Sequence, residues 1–325
     1  MDQSSEKRVR HRLRRLGDGG IRTANVCRSS TALTAAVLGL LLTIPGLGSA
    51  QYLFTTIDVP KATRTAANGN STHEIVGEFD DQNGNTHGFI LNKGVFTTVD
   101  FPKATNPPLV TGTSLNGINA SGQYMGTYFV DSMTSPNHAF VWEKGHFTTL
   151  DPAGATRSQG GFINAKGEAV GTYRDSTQKR HGFVWRKGGF TTFNVPNDHP
   201  EFGTVAMGIN DIGEVVGNYV DTSGDNFKRH GFLRSSKGTF TSFDFPDRTF
   251  TSPTGINNSG QIVGFYADED FFFHGFVVNK GVFTTVDFPD ASETQIFSIN
   301  AKGEIVGTYF DADGDQHGFV GTPVR

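Results

Sequence analysis

The chain has 325 residues, with 28 Lys and Arg against 32 Asp and Glu, and a single cysteine. Residues 1–28 hold eight of the basic residues and three of the acidic ones, which leaves 20 basic against 29 acidic residues in the rest; that excess of about nine negative charges argues against nucleic acid and anionic membrane as partners. Cys27 lies within the basic stretch, so residues 51–325 have no disulfide, no thiolate nucleophile and no cysteine metal site.

The first fifty residues read as a secretory leader. The basic stretch is followed by "STALTAAVLGLLLTIPGLGSA", apolar from 32 to 47, and Gly48, Ser49 and Ala50 place a cleavage before Gln51. An apolar core of roughly 15 residues is short of the roughly 20 that span a bilayer; an uncleaved anchor is the rival reading. Arg14 and Arg15 lie too far upstream of the apolar core to mark a twin-arginine signal. Residues 51–325 are expected to form one repeat domain, secreted to the outside or the periplasm, monomeric, with no membrane span once the leader is removed.

From residue 51 onward internal similarity dominates, and it is read before local propensity. Three landmarks recur six times in fixed order. An aromatic strand ends in an acid: "FTTIDVP" at 54, "FTTVDFP" at 96, "FTTLDP" at 147, "FTTFNVP" at 190, "FTSFDFP" at 240 and "FTTVDFP" at 283. A turn leads into a second strand, as in "INASGQYMGTY" from 118 and "INAKGEIVGTY" from 299; its first copy, "GNSTHEIVGEF" from 69, is degraded, with His73 where the turn glycine should be. A third strand starts at His87, His138, His181, His230, His274 and His317, giving a period of 43 to 51 residues.

Each copy predicts four short strands, a to d; in the fifth these cover 254–258, 261–266, 274–278 and 282–288. "NNSG" suits a turn closed by a left-handed glycine, and "NKGV" a two-residue hairpin. Strand d carries apolar groups on both faces, and no helical period runs longer than a turn or two. Four strands per unit, buried on both faces and repeating at this period, predict an all-β, six-bladed β-propeller of four-stranded antiparallel blades. The domain begins with a d strand at 53–59 and ends with an a, b, c set, so the N-terminal strand is expected to pair with the C-terminal c strand and close the ring; an unpaired edge would otherwise be exposed. An open solenoid is the rival architecture. All 29 Phe lie after residue 50 and are the expected core material.

The combination "INxxGxIVGxY…HGFV…FTTxDxP" resembles the HAF family of extracellular repeat proteins, named for the tripeptide that stands here as His138-Ala139-Phe140. The resemblance spans residues 51–325 and implies a secreted bacterial protein of propeller-like fold; it brings no assigned reaction and no catalytic residues. This chain departs from the pattern at His73 and at Asn194, which replaces the usual Asp.

A two-residue c-to-d turn sets the register so that His274 faces Asp287, His87 faces Asp100, His138 faces Asp151 and His181 faces Asn194. His230 faces Asp244 across a loop one residue longer, and His317 meets Asp58 across the expected closure. A catalytic or metal-binding pair is one reading. Repetition favours the structural one, because chemistry is normally built once, and Asn194 can accept the same hydrogen bond but cannot act as a base. "DADGD" at 311–315 and "DDQNGN" at 80–85 resemble the start of a calcium loop but lack the EF-hand glycine and glutamate. For Asp311, Asp313 and Asp315 a looser Ca²⁺ site and a plain hairpin turn both remain open, and no other cofactor is expected.

The b-to-c and d-to-a connections vary in length and emerge on one end of the sheets. That end is the expected binding face, with Phe202, Phe250, Phe271, Phe272 and Phe273 as aromatic contacts and Asp221, Asp268, Glu269 and Asp270 as polar ones. The leading expectation is a secreted, non-catalytic module that binds extracellular carbohydrate, a peptide or an envelope partner. An extracellular glycan hydrolase or lyase and a structural or adhesive envelope protein are the alternatives.

Overall fold

The computed structural model describes residues 52–102, 109–130, 137–221 and 228–324, which belong to one compact unit. The leader at 1–50, Gln51 and parts of three variable loops, at 103–108, 131–136 and 222–227, lie outside the described residues. Among the described residues all regular structure is β, and no helix is long and apolar enough to cross a membrane.

The chain opens with β1 (Tyr52–Ile57), then forms β2 (Arg64–Asn70), β3 (Glu74–Asp80), β4 (Thr86–Asn92) and β5 (Val95–Val99), followed by β6 (Val110–Ile118), β7 (Gln123–Val130), β8 (Asn137–Glu143) and β9 (His146–Thr149). These last two sets of four are linked into one eight-stranded sheet by a single parallel bridge between Thr86 and Gly112. Three separate four-stranded antiparallel sheets follow: β10 (Arg157–Ile163) to β13 (Gly189–Phe193), β14 (Thr204–Ile209) to β17 (Phe240–Phe243), and β18 (Thr251–Ile256) to β21 (Val282–Thr285). In the last sheet β22 (Glu293–Ile299), β23 (Ile305–Phe310) and β24 (Gln316–Pro323) are completed by β1, which pairs antiparallel with β24 from Tyr52–Pro323 to Ile57–Gly318.

One cross-strand pair explains two of the recurring motif positions. The glycine of "IVGxY" sits opposite the phenylalanine of "HGF" or "HAF": Gly77 faces Phe89, Gly126 faces Phe140 and Gly264 faces Phe276. At Gly126 an added Cβ would lie 2.5 Å from the Phe140 ring and 2.4 Å from the Ser114 carbonyl oxygen, so only glycine lets the ring lie across the strand. Phe89, Phe140, Phe183, Phe232, Phe276 and Phe319 are all fully buried as a result. The phenylalanines of "FTT" are a correction to the expected core. Strand d is a sheet edge, so Phe96, Phe147 and Phe283 are only half-buried and Phe190 is exposed.

The "INxxG" asparagine fastens one sheet to the next. Asn164 Oδ1 accepts the amides of Lys166 and Glu168, closing its own turn, while its Nδ2 donates to the Asn210 carbonyl of the following sheet at 3.0 Å. The same donation runs from Asn119 to Asn164, from Asn210 to Asn257 and from Asn257 to Asn300. Asn300 donates to the Ser71 carbonyl at 2.9 Å, and Asn70 returns a bond to the Glu304 carbonyl. In the degraded first turn the motif asparagine, Asn70, has no hydrogen bond to its Oδ1, and the Ser71 hydroxyl accepts the amides of His73 and Glu74 instead.

The fifth copy shows where strand limits shift. Strand a runs over Thr251–Ile256, earlier than 254–258, and its ladder slips between Pro253 and Gly255, as the first strand of each other copy also does, so the slip belongs to the repeat and not to Pro253. Strand d stops at Thr285 rather than 288, because the Phe288 amide turns to Thr294 Oγ1.

Deleting residues 52–59 would strip β24 of its partner, remove the buried side chains of Ile57 and Val59, and expose a strand edge. The expected result is a thermal midpoint lower by on the order of 10 °C, since about 1 kcal/mol moves a domain of this size by about 2–4 °C. Self-association by size-exclusion chromatography should accompany it. A truncated chain that stays monomeric with an unchanged midpoint would show that the β1–β24 pairing is not needed.

Candidate functional site

Each repeated histidine begins strand c at the end where the b-to-c loop arrives, and its Nδ1 lies 2.8–3.0 Å from an oxygen at the end of strand d. The pairs are His87 with Asp100, His138 with Asp151, His181 with Asn194, His230 with Asp244, His274 with Asp287, and His317 with Asp58. The sequence did not disclose the second carboxylate. The b-to-c loop opens on an aspartate that faces Nε2 of the same ring: Asp81, Asp175, Asp221, Asp268 and Asp311, at 3.0–3.6 Å. An aromatic ring of strand b stacks on the imidazole at 4.9–5.4 Å, Phe79 in the first copy and a tyrosine in the other five. The spacing from strand b to this aspartate was visible in every copy, and it was the available signal.

At 311–315 the same kind of aspartate is held by its own turn. Asp311 Oδ1 accepts the amides of Asp313 and Asp315, both at 2.9 Å, and its Oδ2 faces His317. Asp81 and Asp268 spend their oxygens in the same way. Asp311, Asp313 and Asp315 therefore form a hairpin turn of side chain to backbone bonds; among the described residues no group of three or more His, Asp or Glu is arranged to hold a metal ion.

The expected ligand contacts of the loop end divide. Phe250 and Phe273 are buried, packed on each other at 5.4 Å and on Phe265, with Arg229 over the Phe250 ring, so they are core rather than contact. Asp268 and Asp221 are committed to His274 and His230. Phe202 is half-buried against His199. What remains outward is Phe272, 42% exposed, with Glu269 and Asp270. Phe271 holds φ 65°, a left-handed position that the sister turns give to Gly84, Gly314 and Gln178. A bulky residue there is strained, and such strain collects at functional sites.

A concave feature lies at the opposite end, between the sheet of β6–β9 and that of β10–β13. It is a groove of about 710 Å³ whose one wall offers Gln123, Glu143 and His146 and whose other offers Glu168, Trp185 and Arg186. Its volume falls within the roughly 300–1,000 Å³ of small-ligand sites. Arg186 Nε donates to Glu168 Oε1 at 2.6 Å, Asn164 donates to Glu168 Oε2 at 2.9 Å, and Gln123 donates to Glu143 at 3.1 Å. Glu168 is held below the ordinary carboxylate range: burial pushes it up, and the bonds from Arg186 and Asn164 outweigh that.

The chain has two tryptophans, and they occupy equivalent places in β8 and β12. Trp142 is paired across the strands with Tyr124 and packed on it at 4.8 Å, with Phe147 stacked at 5.7 Å. Trp185 is paired with Ala169 instead, so the ring that covers Trp142 has no counterpart there. The sequence reading passed over this position, although Trp185 replaces the Leu91, Arg234 or Val278 of other copies and so marks a departure from the repeat.

No protein-family model matches the chain, and no curated protein matches it. Solved structures do. A protein of unknown function from Dyadobacter fermentans is similar over 87% of this chain and 100% of its own, at 12% identity and a TM-score of 0.56. The SapL1 lectin, solved with alpha methyl fucoside, is similar over 77% of this chain and 89% of its own, at 13% identity and a TM-score of 0.51. The likeness is one of fold. The six-bladed β-propeller lectin of Aleuria aurantia reaches a TM-score of only 0.46 and adds no argument.

The charged groups at the loop end make stability depend on pH. Burial pulls His274 down, but the bonds and charges of Asp287 and Asp268 outweigh it and raise it above 6.5. Asp175 is lowered to about 2, chiefly by the Thr177 hydroxyl and then by His181. Burial pushes Asp268 up, and the Phe272 amide, His274 and the Asp270 amide bring it net below 3.8. A raised histidine stabilises fully below its unfolded value and loses that contribution as pH rises through its folded one; a lowered aspartate stabilises above its unfolded value and loses that as pH falls. Urea midpoints are therefore expected to peak between pH 3.8 and 6.5, falling towards pH 2 and again above 6.5. His274→Asn should flatten the alkaline limb, and a midpoint that climbs steadily from pH 5 to 9, values chosen to bracket about 6.5, would contradict this.

Proposed function

We propose that the protein is a secreted, non-catalytic carbohydrate-binding module, a member of the HAF family built as a closed six-bladed β-propeller of four-stranded blades, acting as a monomer. Closure is supported by the β1–β24 pairing and by the reciprocal bonds Asn300 to Ser71 and Asn70 to Glu304. Secretion is supported by the leader pattern at 1–50. A non-catalytic role is supported by the repeated histidines, whose Nδ1 sides are each satisfied within the same sheet.

The observation that carries sugar binding is the groove with Trp185. The half-buried Trp185 lines the groove beside small Ala169, with its inner side packed on the core, and is flanked by carboxylate, amide and guanidinium groups already oriented by their own hydrogen bonds; together they offer an apolar platform for the C–H face of a sugar ring and planar partners for its hydroxyls. The SapL1 lectin, similar in fold, was solved with a fucoside, and a fold of this kind therefore hosts sugar sites; the residues of this groove are the argument for one here.

A second seat is favoured by one observation at the loop end, the strained Phe271 beside exposed Phe272. A glycan array probed with residues 51–325 separates them. Trp185→Ala is expected to weaken the leading hits by roughly thirtyfold, about 2 kcal/mol, while Phe272→Ala leaves them unchanged. The reverse pattern would move the seat to the loop end, and an array without hits would overturn the carbohydrate reading.

A further inference from the structure

We infer that the groove beside Trp185 selects acidic saccharides, uronate-bearing or sulfated, over neutral ones; this rests on the carbohydrate-binding reading and names its ligand class. Around the groove stand four cationic side chains, Lys144, Lys166, Arg186 and Lys187, and two carboxylates, Glu143 and Glu168. Both carboxylates are already engaged, Glu168 by Arg186 and Asn164 and Glu143 by Gln123. The groove thus carries a surplus of two positive charges, on a domain whose total is strongly negative. A local reversal of sign in a cleft concentrates anions there, because the low-dielectric walls focus the field.

The three lysines come from three separate hairpin turns, and their meeting is particular to this groove. Lys144 lies in the tight β8–β9 turn at φ 51°, Lys166 in the β10–β11 turn and Lys187 in the β12–β13 turn, and all three are exposed at its rim. At the same turns elsewhere, the neighbouring pairs of sheets have Ser121 between Lys93 and Lys144, Ile212 between Lys187 and Lys237, and Ser259 between Lys237 and Lys280; Lys302 repeats Lys166 beside Lys280, but the last sheet is completed by β1 and has no third turn of this kind. Among the pairs of sheets that have all three turns, the Trp185 groove is therefore the one where each turn supplies a cation. Lysines present compact, strongly hydrated charges on flexible stems, which suits anionic groups spaced along a chain better than a single buried carboxylate.

The arrangement divides the labour. Trp185 supports the ring plane and Glu168 and Glu143 accept from hydroxyls with their remaining lone pairs, while Lys166 and Lys187 on one side and Lys144 on the other meet the anionic substituents. None of the lysines builds the fold, since each stands exposed at a turn.

Isothermal titration of residues 51–325 with an oligogalacturonide, its fully methyl-esterified counterpart, a sulfated dextran oligosaccharide and a neutral dextran of the same length, in buffer containing EDTA, tests this. An acidic member should bind roughly tenfold or more tightly than its neutral counterpart, with affinity falling as salt rises from about 0.05 to 0.5 M. The combined variant Lys144→Gln, Lys166→Gln, Lys187→Gln should keep the wild-type thermal midpoint and lose that preference, while keeping whatever affinity the neutral form has. Equal binding of charged and neutral forms, or an acidic preference that survives in the combined variant, would overturn the inference and leave the carbohydrate reading standing. No binding by any of the four sugars, together with an array that yields no hits, would overturn both.

Discussion

The contact of one phenylalanine ring with the glycine opposite it is what the rest of the domain is built around. Every sheet places a fully buried "HGF" or "HAF" phenylalanine across the strand b glycine, and the space the ring occupies would be filled by any side chain at that glycine. The ring locks strands b and c face to face, which fixes the position of the histidine two residues earlier and of the residue two later. The first of these faces the loop end and the second, Trp142 or Trp185 in two copies, faces the turn end. One packing event therefore sets the geometry of both ends of each sheet.

The two ends use that geometry differently. At the loop end it produces the same arrangement repeatedly, an imidazole held between a strand d partner and a loop aspartate under an aromatic ring. Such a group has its hydrogen-bonding capacity turned inward, and its consequence is a rim whose stability follows pH. At the turn end the asparagine bonds fasten sheet to sheet, but the residue after the "HGFV" stretch is free to vary without disturbing them. Variation there costs little in folding, so a binding groove can arise between two sheets while the others keep their plain form.

Much of this was legible in the sequence because it repeats. A turn of fixed length sets strand register, which is why the facing of His274 and Asp287 could be counted from "NKG", and why the longer "SSKG" turn carried His230 and Asp244 with it. The motif asparagine and glycine read as turn residues, although only the three-dimensional arrangement shows Asn164 reaching the next sheet. The errors have a common cause. Exposure depends on which neighbours a side chain meets, and those neighbours are far away in the chain. Phe250 and Phe273 were counted as contacts because they flank variable loops, yet they pack on Phe265. At Asp311, Asp313 and Asp315 the spacing left a loose Ca²⁺ site and a hairpin turn both open, because it does not show the two local amides and the His317 ring that Asp311 meets. The Trp185 groove stayed hidden for the same reason: its lining comes from turns of two different sheets, with Ala169 standing where another copy has Tyr124.

The most direct test of the account is a crystal structure of residues 51–325 soaked with an acidic oligosaccharide. The account predicts a sugar ring lying against the Trp185 indole, hydroxyls toward Glu168 and Glu143, and anionic groups toward Lys144, Lys166 or Lys187. Density for the sugar at the loop end beside Phe272, or at the repeated histidines, with the Trp185 groove empty, would contradict it.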